Sequence, residues 1–146
     1  MQAVDGEPKW LEIARGELGQ KELPGGADNP RIVEYLKATT LPTNMQHDET
    51  AWCASFVCWC LEQAGVRSTR KANARSYLDW GRPVSFPSPG CVAVFVRGAN
   101  PAQGHVGFVV GVEPNGDILL LGGNQGNQVS IKRQDRGHLL SLRMPA

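Results

Sequence analysis

Cys53 stands where a thiol can act as a nucleophile. It follows a polar loop that ends at the cap candidate Thr50, and it opens the strongest apolar helical stripe of the sequence. We therefore expect Cys53 in the first turn of a helix. Free N–H groups and the helix dipole stabilise a thiolate there, and with a nearby histidinium they lower its pKa from about 8.5 to roughly 3.5–7.5. The same N–H groups can supply part of an oxyanion hole, so the sequence predicts a thiol nucleophile that needs a base.

His105 is the candidate base. It opens an apolar strand, and Asn124 ends the next strand after an Asn115-Gly116 hairpin signal. If these two residues form the centre of the turn, His105 and Asn124 are diagonal neighbours with Cβ atoms about 7–8 Å apart. A bulge would slip the pairing by one residue and place the two side chains on opposite faces. Without a slip, Asn124 can hold the imidazole in one tautomer, as in other Cys/His/Asn triads.

The elements that must position these residues form two groups. Four helices are predicted first, and their signals lie at residues 8–18, 30–36, 53–64 and 73–80. Strand-like apolar runs follow at residues 91–96, 105–112, 117–121, 128–132 and 139–143. Short connections between successive strands imply antiparallel pairing. The fold class is therefore α+β, with N-terminal helices packed on a C-terminal antiparallel sheet.

Composition restricts the class of protein. The chain has 146 residues, and 15 Lys and Arg against 14 Asp and Glu leave a net charge of +1. This length suits a single domain spanning residues 1–146. Nucleic-acid binding is not expected, since affinity for phosphate needs a basic surplus. No apolar run is long enough for a membrane span, and the N-terminus does not resemble a secretory signal.

The other three cysteines, Cys58, Cys60 and Cys91, have a simpler interpretation. Their spacing matches neither a zinc site nor a disulfide framework, so we expect packed core side chains. The alternative is a metal or redox protein that uses Cys53, Cys58 and Cys60. Cys58 points about 140° away from Cys53 around the helix, which makes common ligation awkward.

Several motifs together resemble one family. They are WCASFV at 52–57, CWCLEQAG at 58–65, PG at 89–90, GHVG at 104–107 and GGNQ at 122–125, with further likeness at 22–25 and 29–32. This set resembles the CHAP (cysteine, histidine-dependent amidohydrolase/peptidase) family, which belongs with NlpC-type cell-wall peptidases in the papain-like superfamily. Relatives often have Gly-Asp where this chain has Gly90-Cys91, so Cys91 is not interpreted as a second nucleophile.

The resemblance implies metal-independent hydrolysis of an amide bond in peptidoglycan, with no cofactor. By this likeness Cys53 is the nucleophile, His105 the general base and later acid, and Asn124 the orienting residue, with Gln125 as the adjacent alternative. Gln125 is also predicted to line the substrate site. Trp52 and Asp48 are predicted as two further substrate contacts. Trp52 would form a wall of the cleft, and the alternative is that it packs in the core. Asp48 would contact an amine of the peptide stem, and the alternative is that it acts as a helix-dipole partner.

Several matters stay open at this point. The enzyme is either an endopeptidase of the stem peptide or its cross-link, or an N-acetylmuramoyl-L-alanine amidase. We expect a monomer made in the cytoplasm without a signal peptide. It would act at the cell wall or periplasm as a phage endolysin or as a secreted antibacterial effector with an immunity or delivery protein as partner. The rival is a non-catalytic wall-binding or phage-structural module that kept the fold.

Overall fold

The computed structural model describes residues 6–25, 27–42, 44, 51–101 and 103–146. The α-helices are α1 (Lys9–Gly16), α2 (Pro30–Lys37) and α3 (Cys53–Gln63), and 3-10 helices lie at Ala74–Asp79 and Arg136–His138. The strands are β1 (Arg82–Pro83), β2 (Val92–Val96), β3 (Gly104–Val112), β4 (Ile118–Gly122), β5 (Ser130–Gln134) and β6 (Leu139–Met144). Within the described ranges, no helix is both long and apolar enough to cross a membrane.

The strands form one sheet in the order β1-β6-β2-β3-β4-β5, and every pair is antiparallel. The predicted α+β class, with helices before strands, is confirmed. Two details differ from the prediction. The fourth helix is a 3-10 helix rather than an α-helix, and the two-residue strand β1 was too short to leave an alternating pattern.

Helix α3 lies at the centre of the molecule. The sequence predicts one apolar stripe on this helix, yet all its residues from Cys53 to Leu61 are buried. The reason is that α1, α2 and β3 all pack against α3. A helix enclosed in this way is apolar all round, and it holds its first residue firmly against the sheet.

Side chains that alternate between the two faces of the sheet belong to two separate apolar clusters. Val92, Val94, Val106 and Phe108 pack with the helices, whereas the neighbouring side chains of β2 face the other way. The second cluster consists of Cys91, Ala93, Phe95, Val109, Ile118, Leu120 and Leu142. Both faces of the central strands are therefore buried, which fixes the register of β2 and β3.

The β3–β4 hairpin differs from the predicted two-residue turn. Glu113 and Asp117 close the turn through a hydrogen bond of 2.8 Å, so three residues lie between them, and Gly116 takes a positive φ of 92°. A bulge between Val109 and Gly111 adds a second one-residue shift. Together the two shifts move the pairing by two residues, so the alternation of faces near the start of β3 is preserved.

Candidate active site

Cys53 is the first residue of α3. Trp52 is the residue before the helix, and the earliest helical bond runs from the Phe56 N–H to the Trp52 carbonyl at 2.9 Å. The expected cap Thr50 lies outside the described residues. Because the first N–H groups of a helix have no acceptor within it, the Cys53 thiol lies beside donors that favour a negative charge. The side chain is 5% exposed, so an attacking sulfur has only a narrow opening to solvent.

His105 lies at the start of β3, paired across the sheet with Phe95. Burial alone raises the pKa of the Cys53 thiol, but a hydrogen bond and charge interaction with His105, aided by the Val106 N–H, lower it below its ordinary value. Burial likewise lowers the pKa of His105, and its bonds with Cys53 and Gln125 raise it above its ordinary value. The two groups stabilise each other as a thiolate and an imidazolium.

Gln125, rather than Asn124, is the partner of the imidazole. The Gln125 Oε1 lies 2.8 Å from His105 Nε2, and this side chain is 4% exposed. No hydrogen bond joins His105 to Asn124 among the described residues, and both residues line the same cavity. Of the two candidates for the orienting residue, Gln125 therefore contacts the imidazole, and the first choice, Asn124, does not form this bond.

The amide of Gln125 is held in one orientation. Its Nε2 donates to the Leu120 carbonyl at 3.2 Å and to the Ser130 carbonyl at 2.7 Å, while its Oε1 accepts a bond of 3.1 Å from Gln134 Nε2. Oε1 can only accept, so His105 Nε2 must carry the proton of that bond. In the neutral imidazole the other ring nitrogen, Nδ1, is then unprotonated and able to act as a base. Gln125 thus selects the tautomer that the chemistry needs.

Backbone geometry explains why the chain uses Gln125. Strand β4 ends at Gly122, and Asn124 takes a positive φ of 61°, which turns the chain out of the ladder. Strand alternation therefore no longer decides which side chain points inward. The bend delivers Gln125 to the imidazole, and the Gln125 N–H bonds the Gln128 carbonyl at 3.0 Å to close the loop.

Trp52 belongs to the core rather than to the cleft. Its side chain is 0% exposed, it packs against Tyr35 with ring centroids 5.8 Å apart, and its Nε1 donates to Glu22 Oε2 at 3.0 Å. The prediction that the indole forms a cleft wall is therefore wrong. Its side chain is instead part of the core, directly before the first residue of α3.

A family model for the CHAP domain matches residues 45–124, which is more than half of the chain and includes both Cys53 and His105. The chain belongs to the CHAP family. The resemblance inferred from the sequence motifs is thus confirmed, and the fold is papain-like. CHAP domains are in general hydrolases, amidases or peptidases related to peptidoglycan. No curated protein matches the chain.

The remaining predicted residues of this CHAP domain divide into two groups. Asp48 lies outside the described residues. Cys58, Cys60 and Cys91 are free thiols with 0% exposure, which confirms their placement in the core. Burial raises the pKa of Cys60 well above its ordinary value, so its sulfur stays protonated and inert. Within the described ranges, no group of three or more His, Cys, Asp and Glu side chains could hold a metal ion.

Sequence reasoning missed two kinds of residue in the CHAP site. Gln134 supports the Gln125 amide from β5, and Arg97 and Lys132 border the cavities around Cys53 and His105. Gln134 and Lys132 alternate on β5, so they share a strand face, and Arg97 directly follows β2. Nothing in the sequence could single them out, because their neighbours in space lie on distant strands.

Gly123 provides the close approach between the Gln125 loop and α3. A Cβ on this residue would meet Trp52 ring carbons at 2.6 and 2.7 Å and the Phe56 Cβ at 2.8 Å. We expect Gly123→Ala to cost about 1–3 kcal/mol of stability, because the added methyl group overpacks a rigid core. The displaced loop should also lower kcat. Denaturant unfolding and peptidoglycan turnover measure the two effects.

Gly16→Ala is the matched control for this variant. Gly16 ends α1, and a Cβ there has no neighbour within 4 Å. The unfolding free energy of the Gly16→Ala variant should be unchanged or slightly higher than that of the native protein, because alanine favours the helix. Equal stabilities for the two variants would contradict the packing explanation.

The lowered pKa of Cys53 predicts an unusual pH dependence of alkylation. Iodoacetamide reacts with the thiolate, so Cys53 should be modified at pH values well below about 8.5, where ordinary thiols are slow. His105→Ala removes the interaction that lowers the pKa, so the midpoint of the alkylation rate should move to higher pH. Mass spectrometry of Cys53-containing peptides across a pH series measures this. An unchanged midpoint in the variant would show that His105 does not set the thiol pKa.

Proposed function

We propose that this protein is a cysteine-dependent hydrolase that cleaves an amide bond of peptidoglycan. The observation that supports this proposal is the arrangement of three side chains. A buried thiol opens a helix, the interaction with His105 lowers the pKa of that thiol, and His105 is oriented through Nε2 by the fixed amide of Gln125. Membership of the CHAP family supports peptidoglycan as the substrate.

The first half of the reaction is acylation. The Cys53 thiolate attacks the carbonyl carbon, and the N–H of Cys53 donates to the oxygen that becomes negative. The imidazolium of His105 then gives its Nδ1 proton to the nitrogen as the carbon–nitrogen bond breaks. A free amine leaves, and the acyl group remains on sulfur as a thioester.

The second half is hydrolysis of the thioester. The imidazole is now neutral, and its Nδ1 takes a proton from a water molecule that attacks the thioester carbon. Collapse of the intermediate releases a carboxylic acid and restores the thiolate and imidazolium. Gln125 keeps the same contact with Nε2 in both halves, so the ring need not turn between them.

The finer assignments of the proposal concern the biological setting. We propose one catalytic domain that works as a monomer at the cell wall or periplasm. It would act after release as a phage endolysin or after transfer as an antibacterial effector, with an immunity or delivery protein as partner in the latter case. The cleaved bond is either within the stem peptide or its cross-link, or between muramic acid and L-alanine.

The test incubates the purified protein with peptidoglycan sacculi and identifies new termini by mass spectrometry. We expect new carboxylates and amines in equal amounts. L-alanine N-termini would identify an amidase, and other termini an endopeptidase. Iodoacetamide should abolish the release, and EDTA should leave it unchanged. Release that resists iodoacetamide would overturn the thiol mechanism, and binding to sacculi without release would favour the non-catalytic wall-binding module.

A further inference from the structure

Two cavities lie beside the catalytic pair. One, of about 370 Å³, is bordered by His105 and Gln125, and the other, of about 170 Å³, is bordered by Cys53 and Gly104. Arg97 borders both of them. A peptide that occupies both cavities would therefore pass Arg97.

The larger cavity is positively charged. Arg97 and Lys132 border it together with the imidazole, and the described lining residues of the two cavities include no carboxylate. Lys132 Nζ lies 3.6 Å from the position that a Cβ on Gly126 would take, so the ammonium group stands over the loop that carries Gln125. Arg97 and Lys132 are both exposed, so an incoming anion can reach them.

The positive charge of Arg97 lowers the pKa of both catalytic groups. It contributes to the lower pKa of Cys53, and it opposes the rise in the pKa of His105. Because Arg97, His105 and Lys132 border the same cavity, an anion seated between the two cations would lie beside the imidazole.

The chemistry decides which part of the substrate enters this cavity. His105 gives its proton to the leaving nitrogen, so the leaving amine must lie on the imidazole side of Cys53. The fragment attached to that amine then occupies the cavity with the two cations. Guanidinium and ammonium groups form their strongest contacts with carboxylates and phosphates, and a peptide supplies the former.

We infer that Arg97 and Lys132 select an acidic peptide whose free carboxylate lies on the leaving-amine side of the cleaved bond. This inference rests on the proposed function, since it assumes amide hydrolysis at Cys53. It makes Arg97 and Lys132 specificity-determining residues, and it predicts that wall peptides with an amidated carboxylate at this place are poor substrates.

The experiment uses two synthetic peptides. Both peptides have the sequence of the shortest wall fragment that the enzyme cleaves, at the bond that the sacculus experiment identifies. One carries a carboxylate on the leaving-amine side, and the other carries a carboxamide at the same place. For the native protein we expect a kcat/KM about tenfold or more higher for the carboxylate peptide, mainly through KM. Equal values for the two peptides would overturn the inference.

The variants assign the preference to the two cations. Arg97→Gln and Lys132→Gln should each reduce the ratio of kcat/KM between the peptides, and the double variant should abolish it. A folding defect would slow both peptides alike, so this ratio isolates recognition. If the double variant kept the native ratio of kcat/KM between the two peptides, the inference would be overturned.

Arg133→Gln is the matched control. Arg133 follows Lys132 on β5 and pairs with Asp117, Nε to Oδ2 at 3.9 Å, away from the cavity. The substitution removes one positive charge from the same strand, as Lys132→Gln does, and the ratio of kcat/KM between the peptides should stay at the native value. A ratio lowered as much as in Lys132→Gln would mean that net charge alone acts. Failure of the proposed function is seen separately, as equal cleavage of sacculi by the native protein and Cys53→Ala.

Discussion

Replacing Cys53 by alanine should lower kcat/KM for peptidoglycan cleavage by about 10⁴-fold or more, because the covalent route is lost with the sulfur. The helix N–H groups and the substrate cleft remain in the variant, and they can supply only a small residual rate. The measurement is the initial rate of appearance of new amines from sacculi. His105→Ala should cause a comparable loss, and the double variant should be no slower than either single one, because the two groups act as a unit.

Cys91→Ala is the control for losing a thiol. Cys91 is 0% exposed in the apolar cluster on the other face of the sheet, and its sulfur lies 3.4 Å from Ser88 Oγ. We expect a loss of about 1 kcal/mol in stability with turnover retained. Cleavage by Cys53→Ala at the native rate would eliminate the thiol mechanism, and an inactive but folded Cys91→Ala would show that the core thiols matter for activity.

Replacing Gln125 by methionine should lower kcat by about 10²-fold or more, because the imidazole loses the contact that fixes its tautomer. The pH profile should change as well. The bond to Gln125 raises the pKa of His105, so its loss lowers that pKa. The thiolate–imidazolium pair exists only below the pKa of His105, and the alkaline limb of the rate profile should therefore move to lower pH. The profile of kcat/KM against pH measures this shift.

Two further variants separate orientation from stability. Ser130→Ala removes the bond of 2.9 Å from Ser130 Oγ to the Gln125 carbonyl but leaves the side-chain amide intact, so it should lower stability by about 1 kcal/mol without moving the pH profile. Asn124→Gly tolerates the positive φ and removes the side chain first expected to hold the imidazole. It should retain most of kcat. An Asn124→Gly enzyme as slow as Gln125→Met would contradict the role given to Gln125.

Local patterns in the sequence were sufficient for the three α-helices and for strands β2 to β6. Asn29 followed by Pro30 predicts the start of α2, and the Asn29 Oδ1 indeed accepts the Arg31 N–H at 2.9 Å. Apolar runs between turn residues likewise predicted β2 to β6 within a few residues. These features depend on neighbours in the chain, so periodicity and capping chemistry reveal them.

The identity of the third residue in the site could not be derived in this way. Face alternation predicts which side chains meet only while a strand continues, and β4 ends at Gly122 before the loop that matters. The left-handed backbone of Asn124 then turns the chain and presents Gln125. Trp52 shows the same limit, because a residue beside a nucleophile looks like a cleft wall until α2 is seen to cover it through Tyr35.

The sequence by itself determined the α+β class, the helix whose first turn carries Cys53, the strand with His105 near its start and the family that unites them. These rest on residue order and spacing along the chain. Only the tertiary structure decided that Gln125 holds the imidazole, that Trp52 is buried, and that Arg97 and Lys132 meet beside the catalytic pair. The reason is physical: each of these contacts joins residues of different elements, and their meeting depends on how the sheet twists, ends and packs against α3.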